Sequence, residues 1–330
     1  MERSRLTLAI QATMVTVPDG GEIVVFNPAQ DNDLSALPKD RVTVVQGFHP
    51  DHEFFLNQGY KTEIAASGVF SLAIVCLPRS KQLARNLIEH ALAVTGGGPV
   101  VIDGQKNNGI ESILKNCRSA GGLVTGVFSK AHGKIFTLSG GDFSSWAAVA
   151  PGKNADGFIT GAGVFSADGV DKGSALLAAA LPDRLSGKLA DLGAGWGYLS
   201  HHILKRSDVS ECHLIEAEHS ALDCARQNIT DPRARFHWGD ARKFTAKIRF
   251  DTIITNPPFH TSRVADPALG RDFIEASARL LSNRGVVWLV ANRHLPYEQH
   301  LSALFKEVTE VAGDTSFKVI RAKGLQTVKR

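Results

Sequence analysis

Short runs of β-branched and other apolar residues alternate along this chain with stretches of helical period, the pattern of parallel sheets covered by helices. In the first half the apolar runs fall at 22–26, 42–47, 64–66, 69–77 and 99–102, and residues 82–94 carry the clearest helical period. Residues 123–138, centred on Lys130-Ala131-His132-Gly133, predict a closing β-hairpin. A cluster of turn formers without a period follows, and the boundary is expected there: a first domain over 1–150, a linker over 151–157 and a second domain over 158–330. The second half then repeats the grammar, with strands expected at 188–191, 213–215, 235–238, 250–255 and 286–290, and a last pair at 308–312 and 316–321 facing each other across Gly313-Asp314. Five parallel strands with a terminal antiparallel pair make a seven-stranded doubly wound α/β sheet. Residues 71–79 also have the shape of residues 251–259, each followed by a helix and a Gly-led apolar strand. An internal duplication explains this likeness, and so does the general similarity of any two α/β units.

Composition narrows the class. A chain of 330 residues suits two domains. With 43% hydrophobic and 21% charged residues it can fill two cores, which excludes disordered, collagenous and disulfide-scaffold proteins. The longest apolar run, 69–77, is far shorter than the ~20 residues of a membrane span. Arg3 and Arg5 precede an apolar run that Gln11 and Thr13 interrupt before it reaches signal-peptide length, so a cytoplasmic protein is expected. Cys76, Cys117, Cys212 and Cys224 are scattered, with no zinc spacing, and are expected to be reduced and unligated. The net charge of +4 arises entirely after residue 157, a mild sign of a polyanionic partner.

In an open α/β sheet the ligand lies beyond the carboxyl ends of the strands. After the first strand of the second half comes Asp191-Leu192-Gly193-Ala194-Gly195-Trp196-Gly197, a loop whose backbone can approach a ligand closely. A dinucleotide fingerprint needs a further glycine where Tyr198 stands, so a single nucleoside with a compact carboxylate tail fits better. Glu216, at the end of the second strand, suits a ribose diol; it is also an ordinary loop charge. Asp240, followed by the small Ala241 at the end of the third, suits an adenine amine. After the fourth strand stands Asn256-Pro257-Pro258-Phe259-His260. Two prolines make a stiff turn in any protein. The turn also has a chemical use: an amide oxygen on Asn256 and the carbonyl of Pro257 can accept both N–H groups of an exocyclic nucleobase amine and drive its nitrogen toward tetrahedral geometry. Phe259 offers a face for a base taken out of its stack. Catalysis would then be orientation and preorganised dipoles, with no obligatory general base. His260 reads as structural or substrate-orienting, Arg263 and Arg271 as loop and helix charges able to reach phosphate, and His201-His202 as helix neighbours pointing too far apart to share a metal. No metal site is expected.

Asp191–Gly197, Glu216, Asp240 and 256–260 together resemble the motifs of class I S-adenosylmethionine-dependent methyltransferases that modify planar exocyclic nitrogens. The Phe-His after the prolines, with Gly163-Val164-Phe165-Ser166, Asp171-Lys172-Gly173-Ser174 and 290–297, is similar to the ribosomal RNA guanine-N2 methyltransferases among them. The resemblance implies two tandem Rossmann-like methyltransferase domains, the first degenerate, and S-adenosylmethionine as cofactor. It implies that Gly193, Ala194 and Gly195 lie at the methionine end, Glu216 at the ribose, Asp240 and Ala241 at the adenine, Phe165 and Ser166 at the pocket border, and that Asp191 is also among the cofactor-binding residues. Asn256, Pro257 and Phe259 would be catalytic, acting on a guanine of ribosomal RNA, free or in the small subunit. The match is specific over 161–323 and diffuse over 1–150, where Leu77-Pro78-Arg79-Ser80 stands in place of the Asn-Pro-Pro turn. The first domain is therefore expected to grip RNA, through Lys106, Lys115, Arg118, Lys130 and Lys134, or to support the second. Large-subunit rRNA, adenine N6 and a protein glutamine are rival targets. A non-catalytic RNA-binding assembly factor is the rival outside enzymes.

Overall fold

The computed structural model describes residues 4–258 and 267–326. The chain divides into two compact units, Met1–Ala150 and Pro151–Arg330.

The first unit holds strands β1 (Ile23–Phe26), β2 (Val42–Val45), β3 (Lys61–Glu63), β4 (Leu72–Cys76), β5 (Val100–Gln105), β6 (Leu123–Lys130) and β7 (Gly133–Ser139), in the order β3-β2-β1-β4-β5-β7-β6. β1 to β5 pair in parallel; β7 runs antiparallel to β5 and β6. β1, β2 and β4 are buried at every residue, as parallel strands covered on both faces must be. Alternate residues feed two apolar layers: Phe26, Val75 and Ile102 on one face, Val25, Ile74 and Val101 on the other. Around them stand α1 (Arg5–Gln11), α2 (His49–Asn57), α3 (Lys81–Val94) and α4 (Ile110–Ser119). Ser80 caps α3 by accepting the Leu83 N–H, and Ala84, Ile88 and Ala91 turn one face of it to the core. The β6–β7 turn places Ala131 and His132 at φ 47° and 55°, the left-handed pair of a type I′ hairpin. One expectation fails: residues 64–66 are not a strand. The edge strand is the polar β3 just before them, paired to β2, and Ile64 is 41% exposed.

The second unit opens with a small antiparallel hairpin, β8 (Gly152–Lys153) and β9 (Ile159–Thr160), so residues 151–157 are more than the linker expected of them. Then follow α5 (Lys172–Ala180), β10 (Gly187–Leu192), α6 (Tyr198–Leu204), β11 (Val209–Glu216), α7 (His219–Asn228), β12 (Ala234–Trp238), β13 (Phe250–Thr255), α8 (Pro267–Leu280), β14 (Leu281–Asn292), α9 (Tyr297–Leu304), β15 (Phe305–Gly313) and β16 (Phe317–Leu325). Their sheet order, β12-β11-β10-β13-β14-β16-β15, repeats that of the first unit strand for strand. β10 to β14 are parallel, and β16 is antiparallel to both of its neighbours. Among the described residues no helix is long and apolar enough to cross a membrane.

Candidate active site

The carboxyl ends of β10, β11 and β13 converge on one cleft. Asp191, the penultimate residue of β10, is fully buried; its Oδ2 accepts the Ser200 hydroxyl from α6 at 2.7 Å, and Oδ1 has no partner among the described residues. Burial pushes its carboxyl up to about 7, and the charge of Glu216 adds to the rise against the Ser200 hydrogen bond. Glu216 closes β11 and accepts two backbone N–H groups, from Gly195 at 2.7 Å and from Glu218 at 2.8 Å. Burial raises its carboxyl too, more than these bonds lower it. The glycine loop is thus shaped from below: Gly193 and Ala194 donate to the Ile215 carbonyl while Gly195 donates to Glu216. Gly195 has φ +55° and open space where a Cβ would stand. Gly197, at φ +92°, approaches Ile229 and Ala225 so closely that a side chain would collide with them.

Asn256 follows β13, whose last residue, Thr255, donates from Oγ1 to the Leu192 carbonyl and so ties the ends of β13 and β10 together. Its amide nitrogen donates to Asp171 Oδ2 at 2.9 Å and to Ser174 Oγ at 2.8 Å. A carboxylate can only accept, so the NH2 face of the amide is fixed, and the buried Oδ1 is left without a partner among the described residues. Asp171 also caps α5, accepting the Ser174 N–H at 2.8 Å. Pro257 is buried and Pro258 exposed; Phe259, His260 and Arg263 lie outside the described residues.

Phe165, Ser166, Gly193, Ala194, Gly195 and Asn256 line the cleft, together with Asp171, Ser174 and Trp196. Phe165 stands at its mouth, 65% exposed. The segment carrying it is held by Trp196, whose Nε1–H donates to the Phe165 carbonyl at 3.1 Å and whose ring packs on Phe158. Asn228 of α7 completes the fastening: its amide nitrogen donates to the carbonyls of Ile159 and Trp196, and its oxygen accepts the Ile159 N–H. Val164, Trp196, Ala221 and Cys224 form a separate small core beneath.

The remaining sequence-predicted residues stand around this cleft without lining it. The Gly239 N–H donates to the Glu216 carbonyl, which sets the ends of β12 and β11 side by side. Ala241 is buried in the sheet core. Asp240 is not the open acceptor that the sequence suggested: Arg242 folds back on it, Nε to Oδ1 at 2.9 Å and Nη2 to Oδ2 at 2.7 Å. An arginine two residues on in a tight turn reaches the carboxylate without strain. His201 and His202 pack against Phe158 and Tyr198, and burial lowers both. Sequence reading gave no role to Ser200, Asp171, Ser174 or Asn228; an aspartate just before the helical run that opens at Lys172 was a legible N-cap signal for Asp171 alone.

The profile of the methyltransferase small domain family matches residues 156–321, half of the chain, and the chain belongs to that family. Ribosomal RNA small subunit methyltransferase C of Psychromonas ingrahamii is 29% identical over 265 residues, covering 76% of this chain and 75% of that protein. Its namesake in Acinetobacter baylyi is 26% identical over 321 residues, covering 92% and 94%. Among solved structures, the 16S rRNA N2 guanine methyltransferase of T. thermophilus, in complex with AdoMet and guanosine, matches with a TM-score of 0.78 at 24% identity, over 98% of this chain and 92% of that one. That likeness spans both units and is one of fold: two tandem methyltransferase-like α/β domains.

Proposed function

We propose that this protein transfers a methyl group from S-adenosylmethionine to the exocyclic N2 amine of a guanine in ribosomal RNA, that of the small subunit. The observation that carries the reading is the Asn256 amide, oriented by two partners so that a buried acceptor oxygen remains free among the described residues, beside a glycine loop. The cofactor suits what the residues offer. Asp191 Oδ1 is an unspent buried acceptor, and the open space over Gly195 is one that any side chain would fill. Gly193, Ala194 and Gly195 would hold its methionine part, Glu216 its ribose and Ala241 with Asp240 its adenine, once Arg242 shares the Asp240 carboxylate. When bound, it supplies an electrophilic methyl group.

The chain's own part is orientation. Asn256 Oδ1 and the Pro257 carbonyl accept the two N–H groups of the guanine amine, whose lone pair is otherwise delocalised into the ring, and localise it on nitrogen. Phe165 at the mouth gives the extruded base an apolar face, and the sequence sets a second aromatic, Phe259, directly after the prolines. With ribosomal RNA as substrate the protein works in the cytoplasm, and its four cysteines, all buried and outside any disulfide, fit a reducing compartment. The names of the relatives add support for the small subunit.

The experiment is tritium transfer from labelled S-adenosylmethionine to small subunits lacking the modification and, separately, to free small-subunit and large-subunit rRNA, followed by nucleoside analysis. Label in N2-methylguanosine of small-subunit RNA is the expected result. Label in large-subunit RNA, N6-methyladenosine or protein would replace the substrate, and absence of cofactor binding would leave an assembly factor.

A further inference from the structure

The geometry points to Asp171 and Ser174 as positioning residues that set which face of the Asn256 amide the substrate meets. This rests on the reading of the cleft as an amine methylation site and deepens it. A primary amide has two nearly isosteric ends, and rotating it by half a turn costs little in open solvent. The consequence at this site is large. With nitrogen outward, Asn256 would turn a donor toward an amine that is itself a donor, and the lone pair would gain nothing. The side chain of Asn256 cannot choose the productive face alone. Asp171 Oδ2 at 2.9 Å and Ser174 Oγ at 2.8 Å choose it, because the flipped amide would set its oxygen against a carboxylate that has no proton to share. The same Asp171 oxygen accepts the Ser174 N–H at 2.8 Å, so the first turn of α5 fixes the carboxylate before it fixes the amide.

Capping and clamping are separable by substitution. Asp171→Ser keeps a capping hydroxyl but is too short to hold the Asn256 amide as well. Asp171→Asn keeps an oxygen that can serve both bonds. Single-turnover methyl transfer at saturating RNA and cofactor should fall roughly 10–100-fold in Asp171→Ser, while cofactor affinity stays within about twofold of the parent. Asp171→Asn should return to within about threefold of the parent rate, and Ser174→Ala should lose roughly threefold. In protein labelled with 15N-asparagine, exchange of the Asn256 side-chain amide protons should accelerate in Asp171→Ser and not in Asp171→Asn. An unchanged rate in Asp171→Ser, or an Asp171→Asn variant as slow as Asp171→Ser, overturns the assignment. If the parent protein leaves guanine N2 untouched, the substrate reading fails on its own. The amide exchange then decides the clamp: acceleration in Asp171→Ser upholds it, and parent-like exchange removes it.

Discussion

The two units share a sheet and differ at the ends of its strands. Leu192 of β10 stands opposite Ile215 and Thr255, and Phe26 of β1 opposite Val45 and Val75. The residues that follow are therefore equivalent by register: Gly193 and Asn27, Glu216 and Gln46, Asn256 and Cys76. Glu216 uses both oxygens to accept N–H groups. Gln46 accepts the Phe48 N–H but donates to the Pro28 carbonyl, each at 2.8 Å, so the first loop turns a carbonyl where the second turns an N–H. Where Gly193 leaves the strand end clear, Asn27 crosses it and donates to the Cys76 carbonyl at 3.1 Å. Folding asks only for apolar runs in register, and both units kept them. The proposed chemistry asks for a few residues just past the strands; the second unit has them and the first has others in their places, which is the sense in which we propose the first as degenerate.

The comparison breaks most sharply at Asn256. Asn256→Ala should cut methyl transfer roughly 10²–10³-fold with cofactor affinity near the parent value, while Cys76→Ala, at the matching place, should leave transfer within about twofold. Radiolabel transfer and calorimetry would read both, and comparable losses in the two variants would show that the first unit still takes part in the chemistry.

Next comes Glu216→Gln, which sets an NH2 against one of two N–H donors. Cofactor affinity should drop roughly 10-fold or more by calorimetry. The converse Gln46→Glu should destabilise the first unit by about 1–3 kcal/mol and bring no cofactor binding to it; a second binding event would sink the degenerate reading.

A smaller effect concerns Asp191, which stands where the first unit has Val25. Its folded value of about 7 lies above the ordinary 3.8, so the folded chain keeps a proton that the unfolded chain has released. Stability from this group is present below pH ~4 and lost as pH rises through about 7. Asp191→Asn should therefore raise the Tm of the second unit by about 3 °C at pH 8, with little change at pH 4. Equal shifts at both would disprove the linkage.

The smallest effect is at His213 and His237, stacked at 5.1 Å with Nδ1 and Nε2 3.0 Å apart, where the first unit has Thr43 and Glu63. Burial lowers both histidines, so the unfolded chain takes up protons first and the second unit loses stability as pH falls below ~6.5. Asp191 acts in the opposite direction over that range, so the test is the difference between parent and His237→Phe. Scanning calorimetry should show the variant gaining about 1–2 °C on the parent between pH 7.5 and 5.5. A constant difference would clear the pair of this role.

Legibility in the sequence followed burial. β1 and β4 could be read because a strand covered on both faces is an uninterrupted apolar run, and β10 and β13 because the buried residues around Asp191 and after Asp251 keep most of such a run. β3, with Lys61, Thr62 and Glu63 on an exposed edge, carried no such signal, and neither did the two-residue strands of the small hairpin. The turns bearing Gly193, Glu216 and Asn256 could be placed because topology fixes where strands end. What their side chains bond to could not. Asp171 reaches Asn256 from 85 positions away, and Arg242 takes Asp240 through a local turn that spacing alone leaves undecided.

The fastening of the Phe165 segment bears on where this site can be cut or transplanted. Phe165, Ser166 and Asp171 all precede the first strand of their sheet; the Phe165 segment keeps its place through Trp196 and Asn228, which come from the far side of that strand, while Asp171 is held by the α5 turn it caps. The portable unit of this chemistry is consequently not the glycine loop and the Asn-Pro-Pro turn alone. A graft onto another parallel sheet would need the hairpin from Asn154 onward, the tryptophan and the α7 asparagine as one inseparable piece, and a truncation at β10 would deliver an intact sheet with an unfinished cleft.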